Sequence, residues 1–208
     1  MIREIKEWGE FIAMRRIIFF CRSPFVLTSL LLIIKYYGIQ LFIFQNPDPV
    51  EWLTVAVPSI LVFTTLVELL FRNDNKKRNA HLVLNAVLSA AMVSVFIYYK
   101  QFGIIATYHA FMQAHQVIDV ADSILDLLQP LYLLYFLDVS ILLVLAAMKK
   151  KTGAEPGWNG KALGAVWGLS AGILGFYAVA YGGMLNELKQ AERMGLVGYQ
   201  AHTVFNGI

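Results

Sequence analysis

Two opposite charges lie inside otherwise apolar stretches of this 208-residue chain. Lys35 stands in one apolar run and Asp138 in another, each about 12–14 Å from an end of its run at the helical rise of ~1.5 Å per residue. A charge at that depth in hydrocarbon is costly unless it is paired or hydrated. We therefore expect an ion pair between Lys35 and Asp138. The alternatives for Lys35 are to hold the phosphate of a lipid headgroup or to extend towards the surface past Tyr36 and Tyr37.

A second group of polar residues lies in the longest connection between apolar runs. Four residues separate His115 from Asp119, a spacing that can place two metal ligands on one helical face. Without cysteines or an HExxH frame, the spacing favours a polar face for a partner or lipid over a metal site. That face comprises His109, His115, Asp119, Asp122 and Asp126. The sequence contains no G-x-S-x-G, Walker A or HExxH motif, so we expect no catalytic constellation and no metal site in this chain.

Five long apolar runs must position these residues. Each is about 20 residues long, the length that an α-helix needs to cross ~30 Å of hydrocarbon. Charged residues make up 15% of the chain, against about 25% in soluble domains. The sequence therefore predicts an all-α integral membrane protein, a bundle of five transmembrane helices at about 25–44, 52–71, 80–99, 130–148 and 162–182.

The positive charges fall mainly on one side of these runs. Thirteen of the seventeen Lys and Arg residues lie before the first run, between the second and third, or between the fourth and fifth. The positive-inside rule then predicts a multi-pass protein of the cell membrane with a cytoplasmic N-terminus and an extracellular C-terminus. Because the basic residues are divided among three short segments, they favour anionic lipid rather than nucleic acid as the partner.

The segments outside the runs carry patterns of their own. Residues 1–23 predict a helix on the cytoplasmic membrane surface, and residues 100–129 an outer loop with amphipathic helices. Arg72–Asn79 predicts a charged hairpin. Residues 183–208 predict an extracellular juxtamembrane helix over Met184–Arg193, ended by Gly195 and Gly198, and a linker that connects to something else.

Other polar and small residues in the runs predict packing. Glu68 and His81 flank the hairpin and should form a packing pair. Asn85, Ser89 and Ser94 should make hydrogen bonds between helices. Glycines four apart let another helix approach closely, so the stripe of Gly164, Gly168 and Gly172 predicts packing inside the bundle, with dimerisation as the alternative.

Several short stretches, in their order and spacing, resemble the membrane domain of the lipoteichoic acid synthase family. They are Ile34-Lys35-Tyr36-Tyr37, Tyr98-Tyr99-Lys100-Gln101-Phe102, Asp122-Ser123-Ile124-Leu125-Asp126-Leu127-Leu128, Tyr135-Phe136-Leu137-Asp138 and Gly195-Leu196-Val197-Gly198-Tyr199. The resemblance extends over essentially the whole chain, including the number of spans, their orientation and the long outer loop.

The resemblance implies a defined role. In that family five spans anchor an extracellular, sulfatase-like domain that uses a threonine nucleophile and manganese. That domain moves glycerol phosphate from phosphatidylglycerol to a polymer on a glycolipid in Gram-positive bacteria. This chain ends at Ile208, where the family continues, so no catalytic or metal residue carries over and manganese is expected only in the missing domain. The expected partners are phosphatidylglycerol and an extracellular catalytic domain.

Two other functions fit the same residues. A truncated, stand-alone subunit that binds other envelope-synthesis proteins would be favoured by a stop codon directly after Ile208. A small transporter could use the pair of Lys35 and Asp138, although five spans without a visible repeat argue against it.

Overall fold

The structure, a computed structural model, describes residues 23–45, 49–107, 130–148 and 158–206. Within these residues the chain is helical and has no strand. Six α-helices and one 3-10 helix follow one another: α1 Pro24–Phe44, α2 Pro49–Leu70, α3 Asp74–Phe102, the 3-10 helix Pro130–Phe136, α4 Leu137–Met148, α5 Gly160–Tyr181 and α6 Glu187–Asn206. The all-α fold class predicted from the sequence is confirmed.

The helices pack side by side in an order that differs from the chain order. α2 lies between α5 and α1, and α1 also packs on α3, which in turn contacts α4 and the 3-10 helix. α6 lies against α5 and α2. This arrangement brings α1, α3 and α4 together at the position of the two intramembrane charges.

The outside of the domain is more apolar than that of a soluble protein. Large apolar side chains are exposed there, among them Phe42 at 67%, Leu169 at 68% and Val179 at 88%. The interior contains, beside apolar side chains, polar ones with no exposed surface, such as Thr64, Asn85 and Ser89. Polar groups pair inside a bundle when the surrounding solvent is hydrocarbon, so the pattern fits a membrane domain.

The helix starts follow the local sequence. Pro24 occupies the first turn of α1 after Ser23, a position where its missing N–H leaves no helical bond unmade. Asn73 caps α3, with its side chain accepting from the backbone N–H groups of Asn75 and Lys76, and Asn159 caps α5 in the same way. These caps satisfy N–H groups that have no partner within the helix. The predicted charged hairpin Arg72–Asn79 is therefore shorter than expected, because α3 begins at Asp74.

Among the described residues, four helices are long and apolar enough to cross a membrane: Pro24–Phe44, Trp52–Leu70, Asp74–Phe102 and Gly160–Tyr181. The fourth predicted span, 130–148, is divided between the 3-10 helix and the 12 residues of α4. A 3-10 helix rises ~2.0 Å per residue and an α-helix ~1.5 Å, so the two segments together extend about 32 Å. That length matches the ~30 Å hydrocarbon core. The count of five spans therefore stays a prediction.

α6 agrees with the predicted helix end at Gly195 and differs from the prediction beyond that residue. The first helical part ends at Gly195, where φ is 70° and ψ is 163°, and a second helical part continues through Gly198 to Asn206. Ala191, Met194 and Tyr199 of α6 are at most 1% exposed and belong to the core. The segment is thus packed on the bundle, near the end where α1 finishes and α2 begins.

Candidate functional site

The structure brings Lys35 of α1 and Asp138 of α4 together. The Lys35 ammonium nitrogen lies 2.5 Å from Asp138 Oδ1, and the two side chains are 11% and 15% exposed. Lys35 also donates to Ser89 Oγ at 2.6 Å and to Asn85 Oδ1 at 3.4 Å. The Lys35 ammonium therefore forms an ion pair with Asp138 and hydrogen bonds to two side chains of α3.

Asn85 and Ser89 of α3 complete the network. The Asn85 amide donates to Asp138 Oδ2 at 2.9 Å, and Ser89 Oγ donates to Asn85 Oδ1 at 3.3 Å. The two residues are four apart and therefore lie one above the other on the same helix face. The polar cluster, defined as Lys35, Asn85, Ser89 and Asp138, joins α1, α3 and α4.

The cluster can act in two chemical ways. In the structure, the cluster has no net charge, and its hydrogen bonds and ion pair hold α1, α3 and α4 together. The nearest neighbours of the Lys35 ammonium are Asp138 Oδ1 and Ser89 Oγ, so a phosphate oxygen that binds the ammonium at this distance would take the place of one of them. Removing either charge would leave the other buried without compensation, an expensive state in a medium of low dielectric constant. The cluster is therefore both a structural joint and the described intramembrane site where an anion could be exchanged.

The comparisons with known proteins identify the family. The model of the lipoteichoic acid synthase N-terminal domain matches residues 3–194. The chain belongs to this family. The chain is also 33% identical over 89 residues to the lipoteichoic acid synthase-like protein YvgJ of Bacillus subtilis (strain 168), a stretch that covers 42% of this chain and 14% of that relative. No solved structure matches the chain.

In this lipoteichoic acid synthase N-terminal domain, a second polar group joins α2 and α3, one helical turn before Asn85. Glu68 Oε2 lies 2.6 Å from Lys77 Nζ, and Glu68 Oε1 lies 3.1 Å from His81 Nε2. The predicted contact between Glu68 and His81 is confirmed, and Lys77 is an additional partner. Because Glu68 and His81 are almost completely buried across the short link between two helices, this group closes the α2–α3 hairpin.

Ser94 differs from the prediction made for it. Its hydroxyl donates to the carbonyl of Ala90 in the same helix at 2.9 Å and does not join another helix. A serine on an exposed helix face commonly satisfies its hydroxyl in this way. Asn85 and Ser89, in contrast, bond between helices as expected.

The contact between α6 and the rest of the domain was not predicted. Tyr36 Oη accepts from the backbone N–H of Val197 at 3.4 Å. A Cβ atom at Gly195 would lie 2.3 Å from Val55 Cγ1 and 2.7 Å from Tyr36 Oη, so only glycine fits there. Burial, together with the negative charge of Glu187, raises the pKa of Tyr199. The sequence signal for this contact was the pair of glycines, which we had interpreted as a helix end.

The glycine stripe of α5 lies on a face that no described helix covers. A Cβ atom at Gly164, Gly168 or Gly172 would have no neighbour within 4 Å among the described residues. α5 instead packs through Leu163 and Ser170, on another face. No described helix packs on this stripe, so its packing inside the bundle stays a prediction.

Several predicted features lie outside the described residues. These are the cytoplasmic surface helix over residues 1–22, most of the outer loop, and the polar face of His109, His115, Asp119, Asp122 and Asp126. Within the described residues, no three His, Cys, Asp or Glu side chains are grouped so that they could hold a metal ion.

Proposed function

We propose that this chain is the membrane anchor and lipid-access domain of a lipoteichoic acid synthase-like glycerol phosphate transferase that acts on phosphatidylglycerol at the outer leaflet. The observation that carries this proposal is the family match over residues 3–194. The apolar helices give the anchor. A partner domain with the threonine nucleophile and manganese would perform the transfer outside the membrane.

The polar cluster supplies the lipid contact in this proposal. Lys35 is the cation for the phosphate, and Asp138 neutralises it when no headgroup is bound. Because the Lys35 ammonium already lies close to oxygens of Asp138 and Ser89, binding is an exchange in which a phosphate oxygen replaces one of them. The exchange keeps the ammonium paired; if Asp138 is displaced, its carboxylate keeps the hydrogen bond from the Asn85 amide but loses its counter-charge, a cost that phosphate binding has to offset.

Phosphatidylglycerol retention by the purified chain in lipid nanodiscs tests this role. A hydrogen bond to a charged group contributes about 1.5–3 kcal/mol, so Lys35→Ala should weaken retention about tenfold or more. Asp138→Asn should strengthen it, because the competing carboxylate is gone. Lys189→Ala is the matched control. It removes a lysine from an exposed position of α6 and should leave the retention of phosphatidylglycerol unchanged.

Polymer synthesis provides the second readout. A lipoteichoic acid synthase that carries this chain in place of its own N-terminal domain should form polymer from phosphatidylglycerol in proteoliposomes and lose most of that activity with Lys35→Ala. If Lys35→Ala and Asp138→Asn leave both retention and polymer formation unchanged, the cluster has no lipid role.

A further inference from the structure

An apolar cleft lies between α3 and α6, away from the polar cluster. Its volume is about 330 Å³, and its walls come from α1, α2, α3 and α6. Met92 and Val95 form part of its buried wall and are 6% and 5% exposed. Ala91 of α3 and Ala201 of α6 also line it and are exposed. The cleft therefore opens to the outside between two small side chains.

The polar groups in the lining are already used within the protein. Tyr36 Oη accepts from the N–H of Val197, and the Gln200 amide donates to the carbonyl of Ala106. The rest of the lining is apolar. Apolar cavities in proteins stay dry and take apolar guests rather than water.

The position of the cleft along α3 determines which apolar molecule can enter it. Leu88 and Val95, its limits along α3, lie 14 and 7 residues before Phe102, or about 21 and 10 Å along the helix from its end. α3 is one of the helices suited to cross a membrane, and this depth lies within a hydrocarbon core of ~30 Å. The exposed mouth at Ala91 therefore faces acyl chains.

The shape and size of the cleft fit one such chain. An apolar cavity of about 150 Å³ holds benzene, with six carbon atoms. A volume of about 330 Å³ therefore has room for roughly twelve carbons. The length between Leu88 and Val95 is about 10 Å at helical rise, which suits an extended segment that enters from one side.

We propose that the α3–α6 cleft binds one acyl chain of a membrane phospholipid. The site takes the chain and not the headgroup, because its lining offers no unused polar group. It holds the lipid against α6, which packs on α2 and α5. This inference deepens the proposed function, because it names where in the domain a lipid is bound. It rests on the proposed function only for the identity of the lipid that serves as substrate.

Photo-crosslinking of the purified chain tests the site. The probe is phosphatidylglycerol with a diazirine in the middle of one acyl chain, reconstituted in nanodiscs, and the adducts are mapped by peptide mass spectrometry. Adducts on Met92, Val95 and Val197 are expected, because bulk lipid cannot reach these walls without entering the cleft. Labelling that is confined to exposed positions such as Val179 would overturn the proposal.

A pair of variants makes the test specific. Ala201→Phe narrows the mouth and should lower labelling of Met92 and Val95 at least fivefold, while adducts at Val179 persist. Val179→Phe is the control, because it adds an aromatic ring to an exposed face of α5 and should leave cleft labelling unchanged. If Ala201→Phe lowers the melting temperature, Ala91→Phe at the opposite lip is measured instead. Unchanged labelling in a folded lip variant contradicts the proposal.

A second probe separates this inference from the proposed function. Phosphatidylcholine with the same photoreactive chain should label the cleft as strongly as phosphatidylglycerol, because only the chain is recognised. Equal labelling supports the cleft even if phosphatidylglycerol fails as the substrate. Labelling by the phosphatidylglycerol probe alone would overturn the claim that the cleft binds the chain without the headgroup.

Discussion

The energetic role of the pair of Lys35 and Asp138 can be measured by a double-mutant cycle. In Lys35→Met, Asp138 keeps only the bond from Asn85 and becomes a buried, unpaired charge. In Asp138→Leu, Lys35 keeps only Ser89 and Asn85. Breaking a buried pair in this way costs about 3–5 kcal/mol of unfolding free energy. We expect that loss in each single variant.

The double variant Lys35→Met/Asp138→Leu should recover most of the loss. Both charges are gone, and Ser89 and Asn85 remain bonded to each other at 3.3 Å. Replacing a buried pair by apolar side chains is often neutral or stabilising by about 1–4 kcal/mol. The assay is reversible unfolding in mixed micelles by titration with sodium dodecyl sulfate. Lys76→Met, at an exposed lysine, should change stability by no more than about 0.5 kcal/mol.

The cycle has a clear contrary outcome. If the double variant is destabilised by the sum of the two single losses, the side chains act independently. The 2.5 Å contact would then not be an energetic unit, and the exchange of Asp138 for phosphate would lose its basis.

Two further predictions concern α6. Gly195→Ala should destabilise the domain by about 1–3 kcal/mol, because its Cβ would overlap Val55 and Tyr36 at a positive φ. Gly198→Ala is the control and should destabilise it clearly less, because the nearest atom there is 3.5 Å away. Equal melting temperatures of the two variants would contradict this packing of Gly195. Because the pKa of Tyr199 is raised in the folded state, its stabilising effect should be complete below the ordinary tyrosine pKa of about 10 and fall as the pH rises above it. Melting curves should therefore show a smaller alkaline loss for Tyr199→Phe than for the unmodified chain, and parallel pH profiles would refute this.

The sequence was most informative where hydrocarbon imposes a strong penalty. The depths of Lys35 and Asp138 were enough to expect that they meet, because few arrangements tolerate a lone charge there. Asn85 and Ser89 followed from the same reasoning, since polar groups on one buried face need partners. Ser94 did not, because a hydroxyl can also be satisfied by its own helix, and the sequence does not tell which face is buried.

The features that the sequence missed depend on backbone geometry. Gly195 ends the first helical part of α6, as its residue type indicates, but its positive φ also redirects the chain so that a second helical part continues on the bundle. That use depends on Val55 and Tyr36, which lie far away in the sequence. The 3-10 helix that starts at Pro130 was also missed. The pattern of apolar residues does not distinguish backbone hydrogen bonds between residues three apart, as in a 3-10 helix, from those between residues four apart, as in an α-helix. The α3–α6 cleft arises only once α6 is placed.

The neutrality of the Lys35–Asp138 pair has an electrical consequence. A membrane potential exerts almost no net force on two opposite charges 2.5 Å apart, so the intact pair adds no net charge on which the voltage could act. A single unpaired charge across the full membrane would feel ~2.3 kcal/mol per 100 mV. Lys35 lies nine residues before the end of α1 at Phe44, or about 13 Å deep, where the share is roughly 1 kcal/mol per 100 mV. The Asp138 carboxylate thus neutralises the Lys35 charge, on which the membrane potential would otherwise act.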